Sequence, residues 1–421
     1  MYSFLEIIHL TLLTIAKAVF DGWFLLVLAF VFFIISKTET VNIYGYKLPY
    51  QNLGKLIESV LQGIIIGIFG SALMALIGLP VRLTMPILFL LPIAIIIAFV
   101  NPRFLCFSYS AAILSGISLI FQGQKVFGIK FPYMDVDISG LMVLVGILHL
   151  MEAILVFFVG SKHFIPIVTK KNDKIIMGYL LQRFWPIPFS MLALAIGSVN
   201  GDFLKMPDWW PIIKPPILSQ NIYYYALLPI IGALGYKTIT FTSNPYIKAR
   251  KSSIRLIIYS IILLALAILS TYNLIFKIIG VIYMALAHEL IIQYDQYVEI
   301  KGKPLFGIPN KGVRILCVYP QGDADKMGIE SGDIVHKVNG VQVDNSLDYK
   351  MILQNLSGSY ITLEVEKQNG VHKIYKQDNV NNDLKLGIQM LPERPAVIFK
   401  QEGLNKFSLI HMIIKKLNKK I

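Results

Sequence analysis

Cysteine is nearly absent from this chain and charge is scarce. The 421 residues include two cysteines, and only 15% are Asp, Glu, Lys or Arg, against about a quarter in soluble globular chains. Cys106 lies in an apolar block and Cys317 in a short alternating run, so no disulfide framework is implied and a reducing compartment suits the soluble part. Acidic residues are the scarcer sign, 25 against 39 basic, for a formal net charge of +14. The lysines are scattered through short loops between apolar blocks, which argues for membrane-facing loops and against nucleic acid. Gly-x-Ser-x-Gly elbows, Walker loops and Gly-x-Gly-x-x-Gly turns are also missing, which weakens enzyme readings. No cleaved leader is expected, because Glu6, His9 and Lys17 interrupt the first apolar run and no small-residue cleavage site follows Ile35.

Apolar sequence is what the chain has in abundance: 55% of residues are hydrophobic and the mean hydropathy is +0.63. The apolar blocks fill residues 1–292 and stop at about Gln293, which marks a domain boundary. Candidate spans are 22–36, 58–79, 86–100, 105–121, 138–160, 176–198, 223–240, 254–271 and 274–292. Residues 3–36 alternatively form an interfacial helix plus a span, or a broken hairpin, so the expected bundle is all-α with eight or nine transmembrane helices. Lys162, Lys170, Lys171 and Lys174 mark one loop as cytoplasmic, and Lys248, Arg250, Lys251 and Arg255 mark another. Between them, 199–222 carries Trp209, Trp210 and several prolines and reads as an outside loop with an aromatic belt. A hairpin turning near Thr271–Asn273 then returns the chain to the cytoplasm, placing the C-terminal region inside.

After Gln293 the period changes to two, with turn signals between short runs, as in a small α+β domain. Strands are expected at Gly312–Tyr319, Ile334–Val338, Tyr360–Lys367 and His372–Lys376. Asn339-Gly340 is a hairpin turn whose residues both tolerate positive φ. A short helix fits Ala324–Met327, and a longer one Leu347–Leu356, on which Tyr349 and Leu353 share a face.

Gly312-Val313, Ala324 through Gly328-Ile329, Gly332-Asp333-Ile334-Val335 and Val338-Asn339-Gly340 together resemble bacterial PDZ domains over about 305–378. The resemblance implies an extended peptide added as a strand, with its carboxylate held by a hydrophobic-Gly-hydrophobic loop. Phe306-Gly307-Ile308 is the candidate loop, Leu386-Gly387-Ile388 its rival, and Tyr349 and Leu353 line the expected pocket.

His149 and Glu152 lie three apart in an apolar span, where ionisable groups are costly and face the bundle interior. Pairing with His288 and Glu289 would make a polar cluster able to hold a metal or relay protons, or simply to fix helix packing by hydrogen bonds. Packing is the preferred reading, and no metal, cofactor or catalytic residue is expected. A zincin-type helix needs a second His four residues after the first, and Ile292 occupies that place after His288.

The layout as a whole, many spans, a PDZ module directly after Ala287-His288-Glu289 and a basic tail, resembles the MinJ-like cell-division topological determinants of Gram-positive bacteria. The expected domains are a multi-span region at 1–292, a linker at 293–304, a PDZ-like domain at 305–395 and a basic amphipathic tail at 396–421 that either lies on the inner membrane face or packs as a partly frayed helix on the PDZ domain. The resemblance implies a scaffold at the cell membrane, enriched at septum and poles, that binds DivIVA-like and MinD-like proteins. The alternatives are a degenerate PDZ-containing intramembrane metalloprotease and a transporter with an attached adaptor.

Overall fold

The computed structural model describes residues 2–40, 51–121, 125–126, 129–130, 135–196, 206–214, 223–319, 321–354, 360–378 and 386–393. The chain divides into two compact units, Met1–Gly160 with Arg183–Tyr236 and Ala249–Tyr294, and Ser161–Gln182 with Lys237–Lys248 and Asp295–Ile421. In chain order the elements are α1 (Tyr2–Val19), α2 (Gly22–Thr40), α3 (Gln51–Ile77), β1 (Val81–Arg82), α4 (Leu90–Ala98), α5 (Phe107–Phe121), β2 (Lys125–Val126), β3 (Ile129–Lys130) and α6 (Ile138–Val159). There follow β4 (Ile165–Lys171), β5 (Lys174–Ile196), β6 (Tyr223–Thr240), α7 (Pro245–Leu269) and α8 (Leu274–Lys301). The C-terminal region contributes β7 (Phe306–Gly307), β8 (Val313–Val318), α9 (Asp323–Lys326), β9 (Ile334–Val338), β10 (Val341–Gln342), α10 (Ser346–Gln354), β11 (Tyr360–Glu366), β12 (His372–Asp378) and β13 (Ile388–Met390).

Among the described residues four helices are long and apolar enough to cross a membrane: Leu53–Ile77, Ile138–Val159, Pro245–Leu269 and Leu274–Lys301. The pair Phe4–Val19 and Gly22–Ser36, bent by 64°, makes a fifth if it counts as one span. The bend follows from Asp21, whose carboxylate accepts from Trp23 N and whose carbonyl accepts from Phe24 N, so a new helix starts there. Met85–Ala98 and Phe107–Phe121 are apolar but shorter. Large apolar side chains such as Trp23, Ile65 and Ile96 are exposed on these helices, as suits a surface solvated by lipid.

Two expected spans are not helices. Residues 176–196 of the first fall in β5, with 197–198 outside the described residues, and 223–240 form β6, the two strands being paired. Pro186 and Pro188 exclude a helix interior from the first, and Pro229 with Gly232 and Gly235 disfavours one in the second. Hydropathy misses the distinction because a strand buried on both faces is as continuously apolar as a span. In the first unit Trp185, Ile187, Phe189 and Ala193 of β5 are all buried. Gly63 and Gly67 of α3 permit this, since a Cβ on either would collide with the carbonyl oxygens of Pro186 and Pro188. Arg183 is held by Gln62 at 3.0 Å and Glu58 at 3.6 Å, and Trp185 donates to the same Gln62 at 2.8 Å.

In the second unit β4 and the start of β5 form a hairpin from Ile165↔Leu180 to Lys171↔Lys174. Asn172 and Asp173 both take positive φ at its turn, so three of the four lysines expected in a loop at 162–174 sit on strands. Glu299 accepts from the backbone of Phe241 and Thr242 and pairs with buried Lys248 at 3.1 Å. The expected linker at 293–304 is therefore mostly helix, because α8 continues to Lys301. Residues 161–182 and 237–248 also group with the C-terminal region.

The C-terminal sheet has the order β12-β11-β9-β8-β13, with β10 on β9. β8, β9, β11 and β12 lie where the alternation predicts them, whereas β13 is a strand the alternation does not predict. Asn339 and Gly340 have φ of 47° and 79°, and Gly328 ends α9 at 77°. Ile315, Val335, Val338, Ile361, Leu363 and Val365 are fully buried in one core, each contributing about 1.5–3 kcal/mol. The tail at 396–421 and most of the 199–222 loop lie outside the described residues.

Candidate peptide-binding site

β13 is the terminal strand of its sheet. It pairs with β8 through Ile388↔Val318 and Gln389↔Cys317, and among the described residues no strand pairs with its other edge. Gly387, at φ 71°, turns the chain into this strand. The carbonyls of Leu386 and Gly387 accept from Ala324 N at 3.0 Å and Tyr319 N at 2.7 Å, and Leu391 N donates to Arg314 O at 2.7 Å. Alternation along the strand therefore leaves the N–H groups of Ile388 and Met390 on the open edge.

Leu386 and Met390 are buried in the same core as Tyr349 of α10, while Ile388 and Leu353 pack against that core and stay partly exposed. α10 is started by Asn345, whose side chain accepts from Leu347 N and Asp348 N, each at 2.9 Å. The Tyr349 hydroxyl is buried and has no hydrogen-bond partner among the described residues, and burial raises its pKa. Tyr349 is thus a core side chain, and Leu353 is the more exposed of the expected pair.

The two candidate loops have different surroundings. Phe306 and Gly307 form β7, paired with β5 at Met177 and Ile176, so their backbone belongs to another sheet. Phe306 is buried, edge-on to Tyr179 with ring centroids 6.2 Å apart and with Arg314 over its face at 5.1 Å. Gly307 O accepts from Arg314 Nε at 2.8 Å. Ile308 alone reaches the α10 side, lining a shallow depression with Ser346 and Leu391. Leu386-Gly387-Ile388 instead leads into the sheet edge. Isolated hydrophobic-Gly-hydrophobic tripeptides do not show which strand will end at a sheet edge, so residues alone did not separate them.

Asp333 is fully buried in this domain and accepts from Lys367 Nζ and Glu330 N, each at 2.8 Å, and from Gln368 N at 3.2 Å. Burial lowers the Lys367 pKa, but the hydrogen bond and charge of Asp333, with Glu330, outweigh it and the net direction is up. Burial pushes the Cys317 thiol up to about 11, which makes it unreactive at neutral pH.

The expected polar residues of the helical unit meet as follows. His149 and His288 lie with ring centroids 4.9 Å apart. Glu289 accepts from Tyr109 at 2.7 Å and Gln293 at 2.6 Å and pairs with Arg103 at 2.9 Å. Glu152 lies one turn beyond His149 on α6 and interacts electrostatically with it and with Cys106. Cys106, which the sequence presents only as part of an apolar block, stands between the two imidazoles, 3.1 Å from His149 Nε2 and 3.9 Å from His288 Nε2.

Residues 314–367 match the PDZ domain family. No solved structure matches the chain. The cell division topological determinant MinJ of Bacillus subtilis (strain 168) is 24% identical over 339 residues, covering 79% of this chain and 80% of that protein. The chain thus resembles MinJ over most of both lengths and carries a PDZ domain in its C-terminal region.

Proposed function

We propose that this protein is a membrane-anchored adaptor whose PDZ domain takes an extended peptide along the open edge of β13, in the groove between β13 and α10. The observation that carries this is that, among the described residues, no strand pairs with the outer edge of β13, which the Leu386-Gly387 turn leads into. The ligand's backbone pairs with Ile388 and Met390, and its terminal carboxylate lies at the Gly387 turn. An apolar last side chain packs against Ile388 and Leu353. The apolar helices confine the domain to the cytoplasmic face of the cell membrane, where a raised effective concentration lets weak binding suffice. The resemblance to MinJ supports a role in division-site placement, with enrichment at septum and poles and a bridge between DivIVA-like and MinD-like proteins.

The test is the location of the fluorescently tagged full chain in dividing cells, with co-purified partners identified, beside an Ile388→Glu variant. Septal or polar enrichment with partners lost in the variant is expected. Even distribution of the unmodified chain, or partners indifferent to Ile388, overturns the proposal.

A further inference from the structure

Three helical segments bring one thiol and two imidazoles to a common point. Cys106 precedes α5, His149 lies in the middle of α6 and His288 in α8. One ligating atom from each lies within 4.8 Å of the others. A tetrahedral zinc ion with bonds of about 2.3 Å to sulfur and 2.0–2.1 Å to nitrogen sets S···N separations of about 3.6 Å. The observed 3.1 and 3.9 Å bracket that value.

The protons point the same way. His149 Nδ1 lies 2.8 Å from Val145 O, which only accepts, so Nδ1 carries the hydrogen and Nε2 presents a lone pair. Tyr109 spends its single proton on Glu289, a carboxylate paired with Arg103. The 3.3 Å contact between His288 Nδ1 and the Tyr109 oxygen is then an N–H donated by the ring, and His288 Nε2 also presents a lone pair. Both lone pairs face Cys106, whose thiol has one proton to give. Among the described residues one imidazole nitrogen in this apolar bundle is left without a donor, a costly arrangement that a cation binding all three atoms removes. A backbone carbonyl behind one histidine and a Tyr-carboxylate pair behind the other are the supports that orient metal-binding imidazoles.

We propose that Cys106, His149 and His288 bind one zinc-class divalent cation that ties α5, α6 and α8 together. On binding, the S–H bond of Cys106 breaks, an S–metal bond forms and the proton leaves to solvent, so affinity rises with pH. The thiolate offsets one of the ion's two charges, and Arg103 and Glu289 balance each other. Both Glu289 oxygens are engaged by Tyr109, Gln293 and Arg103, so this carboxylate is not a free base beside the ion.

The experiment is metal analysis of the full chain purified in detergent and equilibrated with zinc chloride, with cobalt(II) chloride as a spectroscopic substitute. About one zinc per chain and a near-ultraviolet thiolate-to-cobalt absorption band are expected. Cys106→Ser should abolish the band and weaken zinc binding at least ~10-fold. The double variant His336→Asn, His372→Asn controls for a surface group on the PDZ domain, where His336, Glu366 and His372 also lie within ligating distance of one another, and it should leave the band unchanged. Absence of the band in the unmodified protein at equimolar cobalt overturns the proposal without reference to any variant. Zinc lost with the surface histidines rather than with Cys106 overturns it equally.

Discussion

The helical unit and the PDZ-bearing unit bury polar groups in opposite surroundings, and their cysteines show it. Cys317 sits on a strand of a water-solvated domain, its thiol pushed up to about 11 by burial alone. Cys106 sits among helices with a hydroxyl and two imidazoles against its sulfur. In the PDZ domain a single carboxylate, Asp333, ties Glu330, Gln368 and Lys367 together at the rim of an apolar core. In the helical unit polar side chains gather inside, while residues such as Phe99 and Ile65 are exposed. Water rewards the first arrangement through the hydrophobic effect. Lipid gives helices no such reward, and polar contacts and small residues carry more of the specificity.

The largest expected effect breaks the Asp333 network. Asp333→Ala takes one acceptor from the Lys367 ammonium, which keeps Gly328 O and Glu330, and leaves two backbone N–H groups without theirs, at a cost of about 2–5 kcal/mol. Hydrogen exchange in β8, β9 and β11 of the full chain should accelerate, while α6 and α8 keep their protection. The pH dependence has a definite sign. Because the Lys367 pKa is raised on folding, its contribution is present below the ordinary lysine value and is lost as pH rises through the folded one. The thermal midpoint of the purified full chain should therefore fall as pH rises above about 10.5, and it should fall less steeply in the variant, where Glu330 is the remaining counter-charge.

The same contrast explains what was legible in the sequence. In the PDZ domain alternation has one meaning, so Ile334–Val338, the Asn339-Gly340 turn and the Gly328 helix end could all be placed from residues alone. In the apolar half, hydropathy reports burial or lipid contact without saying which. α6, α7 and α8 were legible, whereas β5 and β6 read as spans in the sequence and are strands in the structure. His149, Glu152, His288 and Glu289 stood out because charge is rare there, but Cys106 did not, since an apolar block hides a thiol. The Leu386 tripeptide could not be ranked above the Phe306 one, because the partner strand of Phe306 lies about 130 residues earlier, a pairing no local pattern encodes.

A sharper test of the helical unit is Gly67→Val. The glycine admits the Pro188 carbonyl against α3, and three added carbons have nowhere to go. Overpacking of this kind costs about 1–3 kcal/mol. The thermal midpoint of the detergent-solubilised chain should fall. A Cβ added at Gly54 would meet nothing within 4 Å, so Gly54→Ala should leave the midpoint unchanged or raise it slightly. Equal losses at both sites would mean that close approach to β5 is not what Gly67 provides.

The smallest expected effect lies at the solvated edge of the comparison. His336 Nε2 is 2.8 Å from Glu366 Oε2, and their side chains retain 24% and 31% of their exposure. Water can replace either partner, so His336→Ala should cost only about 0.2–1 kcal/mol, with hydrogen exchange in β9 and β11 nearly unchanged. The buried counterpart in the helical unit, Arg103 with Glu289 at 2.9 Å, has side-chain exposures of 18% and 9%, and Arg103→Ala leaves Glu289 with a charge and no cation. Its loss should exceed that of His336→Ala several-fold when exchange in α8 is compared with exchange in β9. A ratio near one would show that the polar cluster among the helices is as well solvated as the PDZ surface, and would remove the physical distinction between the two units.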